Sequence, residues 1–359
     1  MTQNEDLNSE VEVEAEDDDE SYVTYDIATY PSDLTLSGIY EQWNNAEILI
    51  PDYQREYVWS QKQASLLIES FLLGLPIPPV FLYIDESNKY VVIDGQQRVI
   101  SVIFYFGGLF GKKHSGAKEI PFKLVGLSPM SPYLNKLFVD LAENDQRKLR
   151  GAVLRAVNIR QLSPKGSPTA AYHIFERLNT GGTPLKPQEI RNCVYRGAIV
   201  EKLRSLNKNA EWRKMLGKDV VDKHQKDVEL ILRLFALFEG LDNYQRPMKD
   251  FLSASMKRNV NFDSTSATQF ETNFSIVASQ IVEELGAKPF SSRGPVNSAL
   301  LESVFVSLLR GQPRNRPNLL ERFSTLKANQ NFLDTISQST ANEKVVRDRH
   351  SIAFKALTA

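Results

Sequence analysis

The chain has 359 residues, 42% of them apolar and 24% charged, the make-up of an ordinary folded protein with room for two domains or one large one. One cysteine, Cys193, excludes an internal disulfide framework, and four histidines without a CxxC pair argue against a zinc site. The net charge of −1 hides an asymmetry: residues 1–20 hold ten of the 44 Asp or Glu and no Lys or Arg, so residues 21–359 set 43 basic side chains against 34 acidic ones.

In chain order, the acidic segment comes first. It has little apolar surface to offset chain entropy, so disorder is expected to about residue 21. A solubility tail and a strap over a basic groove are both compatible with its charge. It lacks the basic and apolar regions of a signal peptide. The longest nearly uncharged run, 99–111, is too short to span a bilayer. The expectation is a cytoplasmic protein with no membrane partner.

An amphipathic helix is expected over 33–43 and a strand over 46–50, ended by Pro51. In Pro51-Asp52-Tyr53-Gln54-Arg55-Glu56-Tyr57-Val58-Trp59, residues 53, 57 and 59 are suited to packing while Gln54 and Arg55 face a cleft. Ser60 and Gln63 have capping-box spacing and open a helix over 64–73 that stops at Gly74. The rigid segment Leu75-Pro76-Ile77-Pro78-Pro79 leads into a strand over 80–84, a turn over 85–89 and a strand over 90–93. Residues 107–116 read as a loop, 122–125 and 153–159 as strands, and 131–149 as a helix between them. After a linker at 163–168, helical periodicity covers 169–178, 187–206, 225–239, 268–285, 296–310, 316–329 and 340–357. The fold class is α+β: a mixed α/β first half and a mainly helical second half. The expected division is an acidic tail (1–21), a mixed α/β domain (22–165) and a helical domain (166–359).

Between the strand at 90–93 and a helix at 99–104 stands Asp94-Gly95-Gln96-Gln97-Arg98. A strand, a glycine turn and a helix start put backbone N–H groups and a partial positive charge where an anion can sit. Arg98 adds a planar fork of donors suited to phosphate, and Asp94 a hard oxygen of the kind Mg²⁺ prefers. A second reading stands beside this one. Asp94 and Gln97 also have capping-box spacing, which needs no ligand. Further on, Phe175-Glu176-Arg177-Leu178-Asn179-Thr180-Gly181-Gly182 gives a loop with exposed backbone N–H groups, or a plain joint between helices.

Together the three segments resemble the DGQQR-domain family, the N-terminal domain of GmrSD-type modification-dependent restriction enzymes shared with SspE-like phage-defence proteins. They occur in the family's order across roughly residues 35–240. The resemblance implies a ParB/sulfiredoxin-like fold and Mg²⁺-dependent hydrolysis of a nucleoside triphosphate coupled to attack on foreign DNA. Carried over residue by residue, it implies catalytic roles for Asp94, Gln96, Gln97, Arg98 and Arg55, with Asp94 as metal ligand. Tyr53, Gln54, Arg55, Gly95, Gln97, Arg98, Asn179, Gly181 and Gly182 would line the nucleotide. The family's full-length enzymes carry a His-centred nuclease motif, whereas residues 240–359 here hold His350 alone. A separate nuclease subunit is therefore the expected partner, with DNA. The alternatives are a non-enzymatic DNA-binding module and a DNA-nicking nuclease using Asp94.

Overall fold

The protein is described by a computed structural model over residues 26–50, 57–111, 119–163, 186–222, 224–291, 295–311, 318–337 and 340–358. The expectations for the acidic tail, the 163–168 linker beyond Ser163, the helix at 169–178, and Tyr53, Gln54, Arg55, Asn179, Gly181 and Gly182 lie outside these residues. The chain divides into two units, with residues 24–185 in one and residues from Lys186 onward in the other. As the composition pattern implies, the first is mixed α/β and the second helical.

In the first unit, β1 (Asp26–Thr35) runs into α1 (Leu36–Asn44), followed by β2 (Ile48–Leu49), α2 (Gln61–Leu73), β3 (Val80–Ile84) and β4 (Tyr90–Asp94). Then come α3 (Gln96–Gly107), a small ladder of β5 (Leu109–Phe110) with β6 (Ile120–Pro121), α4 (Glu143–Gly151) and β7 (Val153–Ser163). The main sheet has the order β1-β7-β3-β4-β2. The β3–β4 and β1–β7 pairs are antiparallel, whereas β3–β7 and β2–β4 are parallel. Residues 33–35 continue β1, where Thr35 pairs with Val153, so the helix expected from 33 begins at Leu36. Thr35 is its N-cap, accepting from the Gly38 N–H at 3.1 Å.

Alternation in the strands sends Val80, Leu82, Val92, Leu154 and Ala156 to one face of the sheet. There they meet Leu36, Ile39, Ile68, Leu72, Val99 and Val102 of the helices in a single buried cluster. Val91, Ile93 and Ile159 on the opposite face are also buried, which accounts for the unbroken apolar run of β4. α2 has the capping box its sequence promises: Gln63 N–H donates to Ser60 Oγ and Ser60 N–H to Gln63 Oε1. It ends at Gly74 with φ of 75°.

Two expectations fail between residues 120 and 151. Phe122 and Leu124 are buried, but 122–125 is not a strand. Leu124 instead exchanges backbone hydrogen bonds with Lys136 and Asn135 in an irregular loop. The helix expected at 131–149 shrinks to a single 3₁₀ turn, Phe138–Asp140, and α4. Gly126, Pro129 and Pro132 keep the chain in turns up to Leu137, whose N–H is taken by Asp140.

The second unit begins with α5 (Pro187–Val194), α6 (Ala198–Asn207), α7 (Ala210–Leu216) and α8 (Lys226–Gly240). It continues with α9 (Met248–Arg258), α10 (Thr265–Leu285), α11 (Ser298–Arg310), α12 (Leu319–Ala328), α13 (Gln330–Ser337) and α14 (Glu343–Thr358). The one helix expected over 187–206 is broken by Gly197, which packs so close to Val260 that a Cβ would overlap it. α7, α9 and α13 were not anticipated from periodicity. The core is aromatic, with Trp212, Phe235, Phe270, Phe274 and Phe305 fully buried and in mutual contact. Ionic groups are buried beside it, including Arg213 with Asp227 at 2.6 Å and Glu302 with Arg233. α5 buries four polar side chains, Gln188, Glu189, Arg191 and Asn192. Arg191 donates to Glu229 of α8 at 2.9 Å and to Gln188 at 3.2 Å. Burial raises the pKa of Glu189.

Candidate functional site

β4 ends at Asp94 and α3 starts at Gln96, so the whole strand-to-helix turn is one residue, Gly95, at φ 90° and ψ 15°. This left-handed conformation favours glycine. Space demands it as well. A Cβ at Gly95 would run into the Val80 side chain and lie 2.9 Å from Arg98 Nη2. Gly95 is also the N-cap of α3, and no side chain caps the helix start. The capping-box reading of Asp94 and Gln97 is thereby corrected. The helix begins one residue later than that box requires, and both side chains are engaged elsewhere.

Asp94 faces the other way, onto Arg98. Its Oδ2 accepts from Arg98 Nη2 at 3.2 Å, and the same nitrogen donates to the Pro79 carbonyl at 3.1 Å. The pair is unevenly placed: the Arg98 side chain is 18% exposed and that of Asp94 46%. The Nε of Arg98 is buried and has no hydrogen-bond partner. Gln96, first residue of the helix, is buried at 9% exposure.

Gln97 reaches across to the chain that precedes α2. Its Oε1 accepts from the backbone N–H groups of Val58 at 3.1 Å and Trp59 at 3.2 Å. Two backbone donors on one oxygen fix which end of the amide is the carbonyl. One turn later Ser101 Oγ donates to the Gln97 backbone carbonyl at 2.7 Å. Its only proton is then spent, so the 2.8 Å contact with Tyr57 must have the phenol as donor. The Tyr57 ring packs edge-on against Phe104 and Phe110. Burial pushes its hydroxyl up to about pKa 12.

The structure therefore brings Asp94, Gly95 and Arg98 together at one turn and directs Gln97 to Val58 and Trp59. It adds three participants that sequence reading missed: the Pro79 carbonyl, the Val58–Trp59 amides and Ser101. Backbone groups carry no residue-type signal, and Ser101 sits on a helical period with Gln97 that could have drawn notice.

For Mg²⁺, the donor set decides what kind of site is available. Among the described residues no group of three His, Cys, Asp or Glu side chains is placed to hold a metal. Asp94 alone offers a half-exposed carboxylate. One carboxylate fits a magnesium ion that arrives on nucleotide phosphates with its own waters, and does not make a resident all-protein cage. Among the described residues no helix is long and apolar enough to cross a membrane.

Comparison with known families gives a match to part of the chain. Residues 36–196 fit the family described as the GmrSD restriction endonuclease N-terminal domain. No curated protein matches the chain.

Proposed function

We propose, from the match of residues 36–196 to the GmrSD restriction endonuclease N-terminal domain, that this chain is a Mg²⁺-dependent nucleoside triphosphate hydrolase. It serves as the nucleotide-sensing, DNA-associated component of a restriction or phage-defence system. The observation that carries the reading is the start of α3: an uncapped helix N-terminus, entered through a glycine with no room for a side chain, beside an arginine with a buried, unpaired N–H. Each of these features favours an anion. Leaving a buried donor unmet costs about 1–3 kcal/mol, and a phosphate oxygen is the acceptor that a guanidinium matches best.

In this mechanism the first-turn N–H groups of α3 and the Arg98 guanidinium bind the phosphates. The Pro79 carbonyl and Asp94 hold the guanidinium plane in place, so that little conformational freedom is lost on binding. Asp94 would hold a magnesium ion, directly or through water, and that ion would supply neutralisation of phosphate charge. Both lone pairs of the Gln97 side-chain carbonyl are engaged by Val58 and Trp59, and the role of orienting the attacking water is assigned to Gln96, at the first position of α3. Arg55 adds a second positive charge for the transferred phosphoryl group.

A nuclease site in the helical unit has no support from His350. That imidazole is 2% exposed, neither ring nitrogen is hydrogen-bonded, and burial holds its pKa well below 6.5. A separate nuclease subunit completes the proposal. The helical unit is the basic one: residues 186–359 contain 27 Lys or Arg against 19 Asp or Glu, an excess suited to DNA.

The test is phosphate release from ATP, GTP, CTP and UTP with Mg²⁺, each with and without modified DNA. Arg98→Ala should weaken nucleotide binding about tenfold to a hundredfold, the equivalent of one charge-assisted hydrogen bond. Arg98→Ala releasing phosphate at the wild-type rate defeats the assignment. DNA binding that ignores both nucleotide and this substitution points to a non-enzymatic DNA module instead.

A further inference from the structure

Gln97 belongs to the five-residue motif, yet its side chain makes no bond to the other four. It spends its carbonyl on two consecutive backbone N–H groups 38 and 39 residues earlier in the chain. Two donors on one acceptor from adjacent residues is a chelate: neither bond can slide without straining the other. A second fastening lies one turn along α3. Tyr57 donates to Ser101, Ser101 donates to the backbone carbonyl of Gln97, and the tyrosine ring is wedged against Phe104 and Phe110. Tyr57, Val58 and Trp59 are thus fixed at three successive residues to the first turns of α3. They run directly into Ser60, the cap of α2, whose own box is complete.

We infer that Gln97 is a positioning residue, which with Tyr57 and Ser101 clamps residues 57–59 onto α3 and holds the starts of α2 and α3 in fixed register. The clamp deepens the proposed hydrolase site and rests on that reading for its functional consequence. Its structural content stands independently. The physical grounds are direct. A water-orienting glutamine needs a carbonyl lone pair for the water's proton, and Gln97 has none to offer while the clamp is closed. A clamp needs an acceptor of the right length and a partner fastening, and both are present.

The experiment compares Gln97→Met, Gln97→Glu, Tyr57→Phe and the Gln97→Met/Tyr57→Phe double variant in the full chain. Two readouts are taken. The first is hydrogen exchange at the Val58 and Trp59 amides without nucleotide. Gln97→Met, which keeps length but has no acceptor, should speed exchange at both by on the order of tenfold, whereas Gln97→Glu should keep them protected. Tyr57→Phe should speed it less, in the same place. The second is the split between kcat and KM for phosphate release. A clamp predicts that the double variant is no slower than Gln97→Met alone, because loss of the Gln97 fastening already frees the segment, whereas loss of the Tyr57 bond only loosens it.

Unchanged exchange in Gln97→Met overturns the clamp. So does a kcat lost in Gln97→Met but intact in Tyr57→Phe with protected amides, the pattern of a glutamine acting directly on water. Absence of phosphate release from the wild-type protein defeats the hydrolase reading, and the exchange result then decides the clamp by itself. A variant that loses its cooperative thermal transition is judged by Gln97→Glu, which preserves the acceptor.

Discussion

Gly95 shows how one residue can carry two demands at once. Its φ of 90° asks for glycine on conformational grounds, and the Val80 side chain asks for it again on space. A left-handed alanine alone costs roughly 1–3 kcal/mol. Gly95→Ala adds an overlap that Val80 must move to relieve. Equilibrium urea denaturation should therefore show a loss at or above the top of that range, and Gly95→Ala/Val80→Ala should recover part of it. The residue types at 94–98 were legible as a glycine turn from strand to helix, but their partnerships were not. Asp94 and Arg98 are one helical turn apart and could be paired by spacing. The Pro79 carbonyl and the Val58–Trp59 amides are contributed by distant chain, and no local pattern announces them.

At the level of elements, what could be read was whatever carried its own punctuation. α2 has Ser60 and Gln63 at one end and Gly74 at the other, and it formed as its caps dictate, though one turn earlier than its apolar face suggested. Ser60→Ala should lower stability by about 1 kcal/mol, read as a shift in thermal midpoint. Elements governed by distant partners were misread. Leu34 and Thr35 fit an amphipathic helix by period, yet pairing with Leu154 and Val153 holds them in β1. Leu124 has the apolar flanks of a strand, but its hydrogen bonds go to Asn135 and Lys136 across a turn-rich loop. The break at Gly197 follows from a contact with Val260, more than sixty residues away. Local periodicity registers which face is apolar. It does not register which neighbour will claim the backbone.

At the scale of the whole molecule, pH acts on ionisable groups buried in the helical unit. His350 is the clearest case, since its neutral form is locked in beside Arg349 and Arg310. The unfolded chain takes up a proton there near pH 6.5, and the folded chain does so only far below. Its contribution to stability is therefore complete above pH 6.5 and is progressively lost as pH falls beneath it. Thermal midpoints of the wild-type protein should decline from pH 6.5 toward 5 more steeply than those of His350→Leu. Parallel curves for the two proteins refute this. Burial acts on Glu189 in the opposite sense, raising a carboxyl and so favouring the folded state as pH falls, which is why the comparison with His350→Leu is the informative one.

The helix Pro187–Val194 has a consequence for where this chain can be cut. The family match extends to residue 196, ten residues past the start of the helical unit. Those residues include Gln188, Arg191 and Asn192, which bond to one another and also to Glu229, Lys249, Met256 and Gln225. None of these last four lies within the matched segment. A fragment cut at residue 196 would carry an open plug, a polar helix parted from the side chains that form its socket.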